Sequence, residues 1–383
     1  MDAVQFLTGS LTSLVSYLIP FLFVLTIVVF FHELGHFLVA RWCGVKVDTF
    51  SIGFGRSVAG WVDRKGTQWK IGWLPLGGYV SFHGDSSAAS TPDRAALEAA
   101  QADDSVDAAS LFHNKPLWAR AAVVAAGPIA NFIVAIVIFA ATFMLVGQTI
   151  MEPRVDEIRA DSAAAEAGFE VGDLITRIDG QEIASFADLQ RIVSESAGET
   201  LDITVERGGA DVTLQATPRI REVTDRFGNT HRIGMLGISH DPQGDARVER
   251  YGPVTSLWMG VEQTWYVISR TLEYVFEVIV GAQSADQLGG PLRIAQMSGE
   301  VATVSFMALI NLAAVLSVSI GLVNLFPIPI LDGGHLLYYA IEAVRGKPLS
   351  AKAQDFGFRV GLAVVLMLMI FATWNDLMHF NLF

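Results

Sequence analysis

The chain has 383 residues, of which 52% are hydrophobic and only 17% are charged, and its mean hydropathy is +0.43. Soluble domains have about a quarter of their residues charged, so this composition excludes a wholly soluble protein. The net charge of −13 argues against a nucleic-acid partner, because such proteins present a basic face. The single cysteine, Cys43, excludes an intrachain disulfide framework and a cysteine-rich zinc module. We therefore expect an integral membrane protein, in contact with the lipid bilayer, with part of its mass in water.

Four apolar stretches are candidates for membrane-spanning helices: 14–31, 121–146, 301–331 and 360–374. The first three are long enough to cross a hydrocarbon core, whereas the fourth needs Arg359 to extend its side chain to the interface. Basic residues cluster in the connection after the first stretch and in the connection between the third and fourth. By the positive-inside rule both connections are cytoplasmic. Both termini and the long segment 147–300 are then expected outside.

The first stretch leads into the sequence His32-Glu33-Leu34-Gly35-His36, which is an HExxH pattern. Residues four apart lie on one face of a helix, so both imidazoles can reach one metal ion. Glu33 is offset from that face, which suits a general base better than a ligand. Ionisable side chains in a membrane helix are costly and indicate function. A pair of buried, hydrogen-bonded histidines is the structural alternative, and we favour a zinc site.

A third ligand is expected, because catalytic zinc usually has three protein ligands. The third stretch runs in the same direction as the first and ends at Asp332, after a segment interrupted by Pro327 and Pro329. Irregular backbone at membrane depth is tolerated only where it is buried in protein or lines a cavity. Asp332 is therefore the leading candidate, and His335 is the alternative.

The chain resembles the site-two protease family of intramembrane zinc metalloproteases in the blocks FHELGH at 31–36 and NLFPIPILDGGH at 324–335. Further blocks are ARWCGVKVDTFSIGFG at 40–55, LPLGGYV at 74–80 and AGPIANF at 126–132, and the whole chain resembles the bacterial regulator-of-sigma-E protease branch.

The resemblance implies one zinc ion per chain, held by the two histidines of HExxH and the aspartate of LDG, with the glutamate as general base. These roles fall on His32, His36, Asp332 and Glu33. The resemblance also implies that Asn324 engages the substrate. It places Asn131, in the second stretch, at another polar position near the site, which we interpret as substrate-binding.

Residues 47–82 alternate aromatic and β-branched residues with turn glycines, a pattern that predicts β-hairpins. A free strand edge there could bind an unwound substrate by strand addition. The resemblance implies a membrane-inserted β-loop at this position, with Gly77 and Gly78 as substrate-binding residues. An ordinary cytoplasmic hairpin, in which both glycines only form turns, is the alternative.

Residues 153–219 resemble a bacterial PDZ domain through SAAAEAGFEVGD and the following IDG turn, and the signature occurs once. PDZ domains capture an extended chain or a C-terminus by strand addition. We expect this domain to lie in the periplasm and to admit substrates already trimmed on that side. A PDZ domain that only shapes the enzyme or binds a separate adaptor is the alternative.

The expected fold class is a polytopic α-helical membrane protein of about four spans, with a membrane-associated β-hairpin region and one α+β PDZ domain. Its predicted segments are the first span with HExxH (1–45), a β-loop region (46–84), a cytoplasmic linker (85–117), the second span (118–147), the PDZ domain (150–220), a connector (221–254), an amphipathic helix on the membrane surface or beside the bundle (255–282), the third span (301–345) and the fourth span (356–376).

The predicted function is intramembrane zinc proteolysis of single-span membrane proteins after a prior extracytoplasmic cut. Anti-sigma factors and remnant signal peptides are the expected substrate classes, and the bacterial inner membrane is the expected location. Two alternatives remain open at this point. One is a catalytically idle, membrane-tethered PDZ scaffold, and the other is a metal transporter that uses the intramembrane histidines as a transit site.

Overall fold

The computed structural model describes residues 3–83, 108–224, 230–239, 246–281, 285 and 289–379. The chain forms two compact units. The first unit contains residues 1–142 and 253–383, and the second contains residues 143–252. Residues 85–107 of the predicted cytoplasmic linker lie outside the described residues. At the end of that linker Leu111 and Phe112 are buried, and Phe112 stacks on Phe82.

Long helices make up most of the first unit. They are α1 (Ala3–Trp42), α2 (Leu117–Leu145), α5 (Pro253–Ile279), α6 (Pro291–Val304), α7 (Phe306–Asn324), α8 (Asp332–Arg345) and α9 (Ala351–His379). The second unit contains the short helices α3 (Ala163–Ala167) and α4 (Phe186–Glu195).

Four of these helices are long and apolar enough to span a membrane: Val15–Trp42 of α1, Leu117–Leu145, Phe306–Asn324 and Lys352–Met378 of α9. Together with a β-hairpin region and one α+β unit, they confirm the predicted fold class.

The third span is shorter than the predicted 301–345. Ser305 interrupts the helix in an extended conformation, and its hydroxyl accepts a hydrogen bond from the Ala308 N–H at 3.0 Å, which starts a new helix. Pro327 and Pro329 then prevent α7 from continuing past Asn324 into α8. The predicted span therefore divides into the end of α6, the span α7 and the separate helix α8.

Helix α5 packs beside the spans through a stripe of small residues. Ser256, Gly260 and Thr264 are buried at intervals of four residues, which places them on one face. A Cβ added at Gly260 would lie 2.6 Å from the Ile136 carbonyl oxygen, so glycine permits a close approach to α2. The segment therefore packs against α2, and its position relative to the membrane surface stays a prediction.

Asp376 near the end of α9 fixes the start of α6. Its buried carboxylate accepts hydrogen bonds from the backbone N–H groups of Gly290, Leu292 and Arg293 at 2.8, 3.1 and 3.2 Å. A carboxylate at a helix N-terminus satisfies unpaired donors and complements the helix dipole. This contact explains why a buried charge is tolerated there.

Strands β1 (Val47–Val62) and β2 (Gln68–Phe82) form a curled antiparallel hairpin. Residues 47–52 pair on one side with 78–82 and on the other with 68–71, while 57–62 pair with 68–72. The hairpin therefore acts as four short strands, in which residues 78–82 lie at one edge. Phe50 is fully buried and contacts Phe37 of α1, which anchors the hairpin on the first span.

Asp63 fastens the hairpin turn to the end of α1. Its carboxylate accepts hydrogen bonds from Arg41 at 2.8 Å, from the Lys65 and Thr67 N–H groups at 2.8 and 3.1 Å, and from the Trp69 indole at 3.3 Å. Desolvation acts to raise the pKa of Asp63, but these hydrogen bonds, led by the Lys65 N–H, lower it to about 2.

The second unit is built on a four-stranded sheet of order β6-β5-β7-β8, formed by β5 (Leu174–Ile178), β6 (Gln181–Glu182), β7 (Leu201–Arg207) and β8 (Ala210–Ala216). The other strands pair two by two: β3 (Gln148–Met151) with β12 (Ala246–Glu249), β4 (Glu157–Ile158) with β11 (Ile238–Ser239), and β9 (Arg219–Thr224) with β10 (Thr230–Met235).

The predicted boundary of this domain at residue 220 is too early. Leu236 is buried in the same core as Val155 and Ile203, and β11 and β12 close onto strands that precede α3. The described part of the predicted connector 221–254 therefore belongs to this unit as far as residue 252. Residues 225–229 and 240–245 of that connector lie outside the described residues.

We predict that Asp63→Ala loosens the hairpin without unfolding the spans. Hydrogen exchange of the full-length protein in detergent should be several-fold faster across 47–82 and unchanged in α2. The Asp63 contribution is complete above pH about 4. It is lost as the pH falls towards the depressed pKa of about 2, because protonation removes the charge that Arg41 contacts. Arg64→Ala, which changes an exposed neighbour in the same turn, is the control. Equal hydrogen-exchange rates across 47–82 in the two variants would refute the role of Asp63 in holding the hairpin.

Candidate metal centre

Helix α1 presents two histidines at one point of the first candidate span. His32 Nε2 and His36 Nε2 lie 3.2 Å apart, as expected for residues one turn apart on a helix. A hydrogen bond fixes the orientation of the His36 ring: its Nδ1 donates to the Val123 carbonyl oxygen of α2 at 2.8 Å. The lone pair of His36 Nε2 therefore faces the cluster.

Asp332, the first residue of α8, completes the group. Its Oδ2 lies 3.2 Å from His32 Nε2 and 3.6 Å from His36 Nε2. The three ligand atoms lie within 4.8 Å of one another, and among the described residues Asp332 Oδ2 is buried without a hydrogen-bond partner. Two imidazole nitrogens and a carboxylate oxygen that converge on one point, with an unsatisfied oxygen, suit a zinc ion.

A strained loop sets the position of Asp332. Ile330 has a φ of +121°, which is unfavourable for a β-branched residue and costs about 1–3 kcal/mol. The loop is held by its neighbours: a side chain at Gly333 would overlap the Leu325 carbonyl, and one at Gly361 of α9 would overlap the Pro329 carbonyl. Packing against α9 and the start of α8 therefore maintains the conformation that aims the carboxylate.

A cavity of about 180 Å³ contains the cluster, and Glu33, Asn324 and His335 also line it. The edge strand 78–82 forms one wall through Val80. A Cβ added at Gly78 would lie 3.2 Å from Glu33 Cγ and 2.8 Å from the Ser51 carbonyl oxygen, so glycine lets the strand approach the glutamate closely.

The structure brings together His32, His36, Asp332, Glu33 and Asn324. His335 lines the same cavity, but the group of described side chains that could hold a metal ion consists of the two α1 histidines and Asp332.

The remaining predicted substrate-binding residues are placed differently. Asn131 lies near the site, as expected: its side chain is fully buried, with Nδ2 at 3.3 Å from His32 Nδ1. It is not among the residues that line the cavity, and its substrate-binding role stays a prediction. Gly77 has a φ of +123°, and a side chain there would overlap the Phe54 ring. The Phe54 ring therefore covers the strand at Gly77. Of the two glycines, Gly78 is the one that lies beside Glu33.

Two site residues were missed from the sequence. The Val123 carbonyl orients His36, and Gly127 allows the His36 ring to lie against α2, since any side chain there would overlap it. The AGP sequence at 126–128 contains the small residue that could have indicated this close helix contact. A backbone carbonyl carries no sequence signal.

Comparison with known proteins shows the family. The sequence model described as Peptidase family M50 matches residues 20–368. The chain belongs to peptidase family M50.

Several relatives cover nearly the whole chain. A protein of Agrobacterium fabrum named as a zinc metalloprotease is 48% identical over 98% of this chain and 99% of its own length. One of Rhizobium meliloti, similarly named, is 49% identical over 94% of this chain and 96% of its own. Metalloprotease MmpA of Caulobacter vibrioides is 41% identical over 96% of each chain. Among solved structures, the PDZ domain of the SdrC-like protein of Listeria monocytogenes is 26% identical over 22% of this chain and 83% of its own, with a TM-score of 0.18.

This M50 peptidase is a zinc metalloprotease and, with four apolar helices among its described residues, a multi-pass membrane protein. Of the three functions that the sequence left open, the comparisons support the metalloprotease and not the idle scaffold or the transporter.

We predict that Asp332→Ala weakens zinc binding strongly, because it removes one of three protein ligands, whereas His335→Ala leaves zinc affinity unchanged. Zinc content after dialysis against a chelator, measured by atomic emission, checks both variants. Zinc loss from His335→Ala and zinc retention by Asp332→Ala would reverse the ligand assignment.

Proposed function

We propose that this M50 peptidase cleaves single-span membrane proteins within the bilayer. The observation that carries the proposal is the position of the ligand cluster: His32 and His36 lie inside an apolar helix long enough to span, and Asp332 reaches them from the start of α8. Ionisable groups at membrane depth are costly and therefore indicate function. A soluble substrate would not require a site in this position.

Each residue of the cavity has a distinct role in the proposed reaction. His32, His36 and Asp332 hold the zinc ion, which when bound polarises the peptide carbonyl and lowers the pKa of water. The Glu33 carboxylate accepts a proton from the attacking water and passes it to the leaving amine nitrogen. Asn324 lines the cavity at the end of α7, where its amide can hydrogen-bond the substrate backbone.

The hairpin supplies a surface for an unwound substrate. A transmembrane helix must open its hydrogen bonds before it is cut, and exposed backbone in lipid needs new partners. Residues 78–82 pair with 47–52 along one of their two edges. Within the described part of the chain, no strand pairs with the second edge of 78–82, which is therefore free. A substrate added there as a strand would lie beside Val80 and Glu33, which favours strand addition over a purely structural hairpin.

We place the protein in the bacterial inner membrane with both termini and the PDZ-like unit in the periplasm. The basic residues of the two connections support this orientation through the positive-inside rule. The hairpin and the start of α8 then lie towards the cytoplasm. Substrates trimmed on the periplasmic side, such as anti-sigma factors or remnant signal peptides, fit an enzyme whose extracytoplasmic unit excludes larger ectodomains.

The PDZ-like unit also has a groove suited to a chain end. A cavity of about 120 Å³ lies between α4 and the segment 233–238, lined by Leu189, Val193, Leu236 and Ile238. An extended peptide could pair with this segment while its apolar side chain enters the groove. We propose that a trimmed substrate presents its new C-terminus there.

We predict that Glu33→Gln retains zinc but loses cleavage of a trimmed single-span substrate reconstituted in liposomes, by a factor of at least about 100. The ligands survive this change, whereas the proton acceptor does not. Glu277→Gln on α5 makes the same chemical change away from the site and should cleave normally. Two results would refute the proposal. One is cleavage by the Glu33 variant at the wild-type rate, and the other is cleavage by the wild type only at peptide bonds that lie outside the bilayer.

A further inference from the structure

The two ligand histidines differ in what supports their second ring nitrogen. A histidine that binds zinc through Nε2 must carry its proton on Nδ1, and that proton needs an acceptor. For His36 the acceptor is the Val123 carbonyl oxygen at 2.8 Å. For His32 the neighbouring group is the Asn131 side chain at 3.3 Å.

The end of the Asn131 amide that faces His32 determines which ring nitrogen of His32 carries the proton. Its Nδ2 faces His32 Nδ1, which would require the ring proton to be on Nε2. That proton would then point at His36 Nε2 and Asp332 Oδ2, and it would remove the lone pair that the metal needs. In the same arrangement Asn131 Oδ1 is buried without a hydrogen-bond partner among the described residues.

Rotation of the amide by 180° gives His32 Nδ1 an acceptor for its proton and gives the amide oxygen a donor. The oxygen and nitrogen of an asparagine amide have nearly the same shape, and their assignment follows from the hydrogen-bond network. With Oδ1 towards His32, the oxygen accepts the Nδ1 proton and is no longer unsatisfied, and Nε2 presents its lone pair to the cluster.

We infer that Asn131 is a positioning residue of the metal centre, which orients His32 and fixes its tautomer by accepting the Nδ1 proton. This inference rests on the proposed zinc site and replaces the substrate-binding role expected from the sequence.

The surroundings of Asn131 fit a rigid support. The residue is fully buried, and its carbonyl oxygen accepts a hydrogen bond from the Ser317 hydroxyl of α7 at 2.9 Å. A Cβ added at Gly321 of α7 would lie 3.1 Å from Asn131 Cβ, so the two helices are closely packed at this point. Helix α7, which carries Asn324 at its end, therefore holds the group that orients a metal ligand.

Zinc affinity of three full-length variants in detergent tests the inference, measured by competition with a chromophoric chelator. Asn131→Leu keeps the side-chain volume but has no acceptor, and we expect zinc to bind about 10–100-fold more weakly. Asn131→Asp keeps an acceptor for the Nδ1 proton and should restore wild-type affinity or exceed it. Asn311→Leu is the matched control, because it removes another polar contact between α2 and α7, the 3.0 Å hydrogen bond from Thr142, away from His32.

The outcomes separate the inference from the proposed function. Weak binding by Asn131→Leu, with normal binding by Asn131→Asp and Asn311→Leu, supports the positioning role. Equal affinity of Asn131→Leu and wild type overturns it, as does an equal loss in Asn131→Leu and Asn311→Leu, which would indicate general destabilisation. A wild-type chain without zinc affinity, unaffected by His32→Ala, would overturn the proposed zinc site itself.

Discussion

The architecture of the membrane unit depends on one requirement: two imidazoles and a carboxylate must meet inside an apolar helix bundle. Each of these groups is costly to bury alone, and a cation shared between them offsets that cost. The two histidines come from one turn of α1, but the carboxylate comes from a segment near the other end of the chain. The rest of the unit has to bring that segment to the right depth and hold it there.

The contacts around the cluster meet this requirement from three directions. Helix α2 holds the histidines through the Val123 carbonyl and the Asn131 side chain. Helix α9 seats the strained loop through Gly361, so that the unfavourable φ of Ile330 is maintained. The hairpin closes the remaining side through Gly78, beside Glu33. Glycines at these contacts allow backbones to approach more closely than larger residues would permit.

The sequence predicted the parts of the site that depend on short-range periodicity. The i, i+4 spacing of His32 and His36 required only a helix, and the prolines before Asp332 indicated irregular backbone. The start of the third span was predicted less well, because Ser305 and its cap divide an apolar run that is continuous in hydropathy. The predicted end of the PDZ domain at residue 220 was wrong for a different reason. Strands β11 and β4 have two residues each, too few for a periodic pattern, and they are far apart in the sequence of the domain. The position of Asn131 behind His32 depends on the packing of α1 against α2, which no local pattern encodes.

Zinc K-edge absorption spectroscopy of the purified full-length protein tests the central claim most directly. The account predicts a first shell with two imidazole nitrogens and carboxylate oxygen at about 2.0–2.2 Å. It also predicts one imidazole fewer, or no bound zinc, in His32→Ala. A shell containing sulfur from Cys43, or an unchanged spectrum in both His32→Ala and Asp332→Ala, would contradict a metal centre built by α1 and the start of α8.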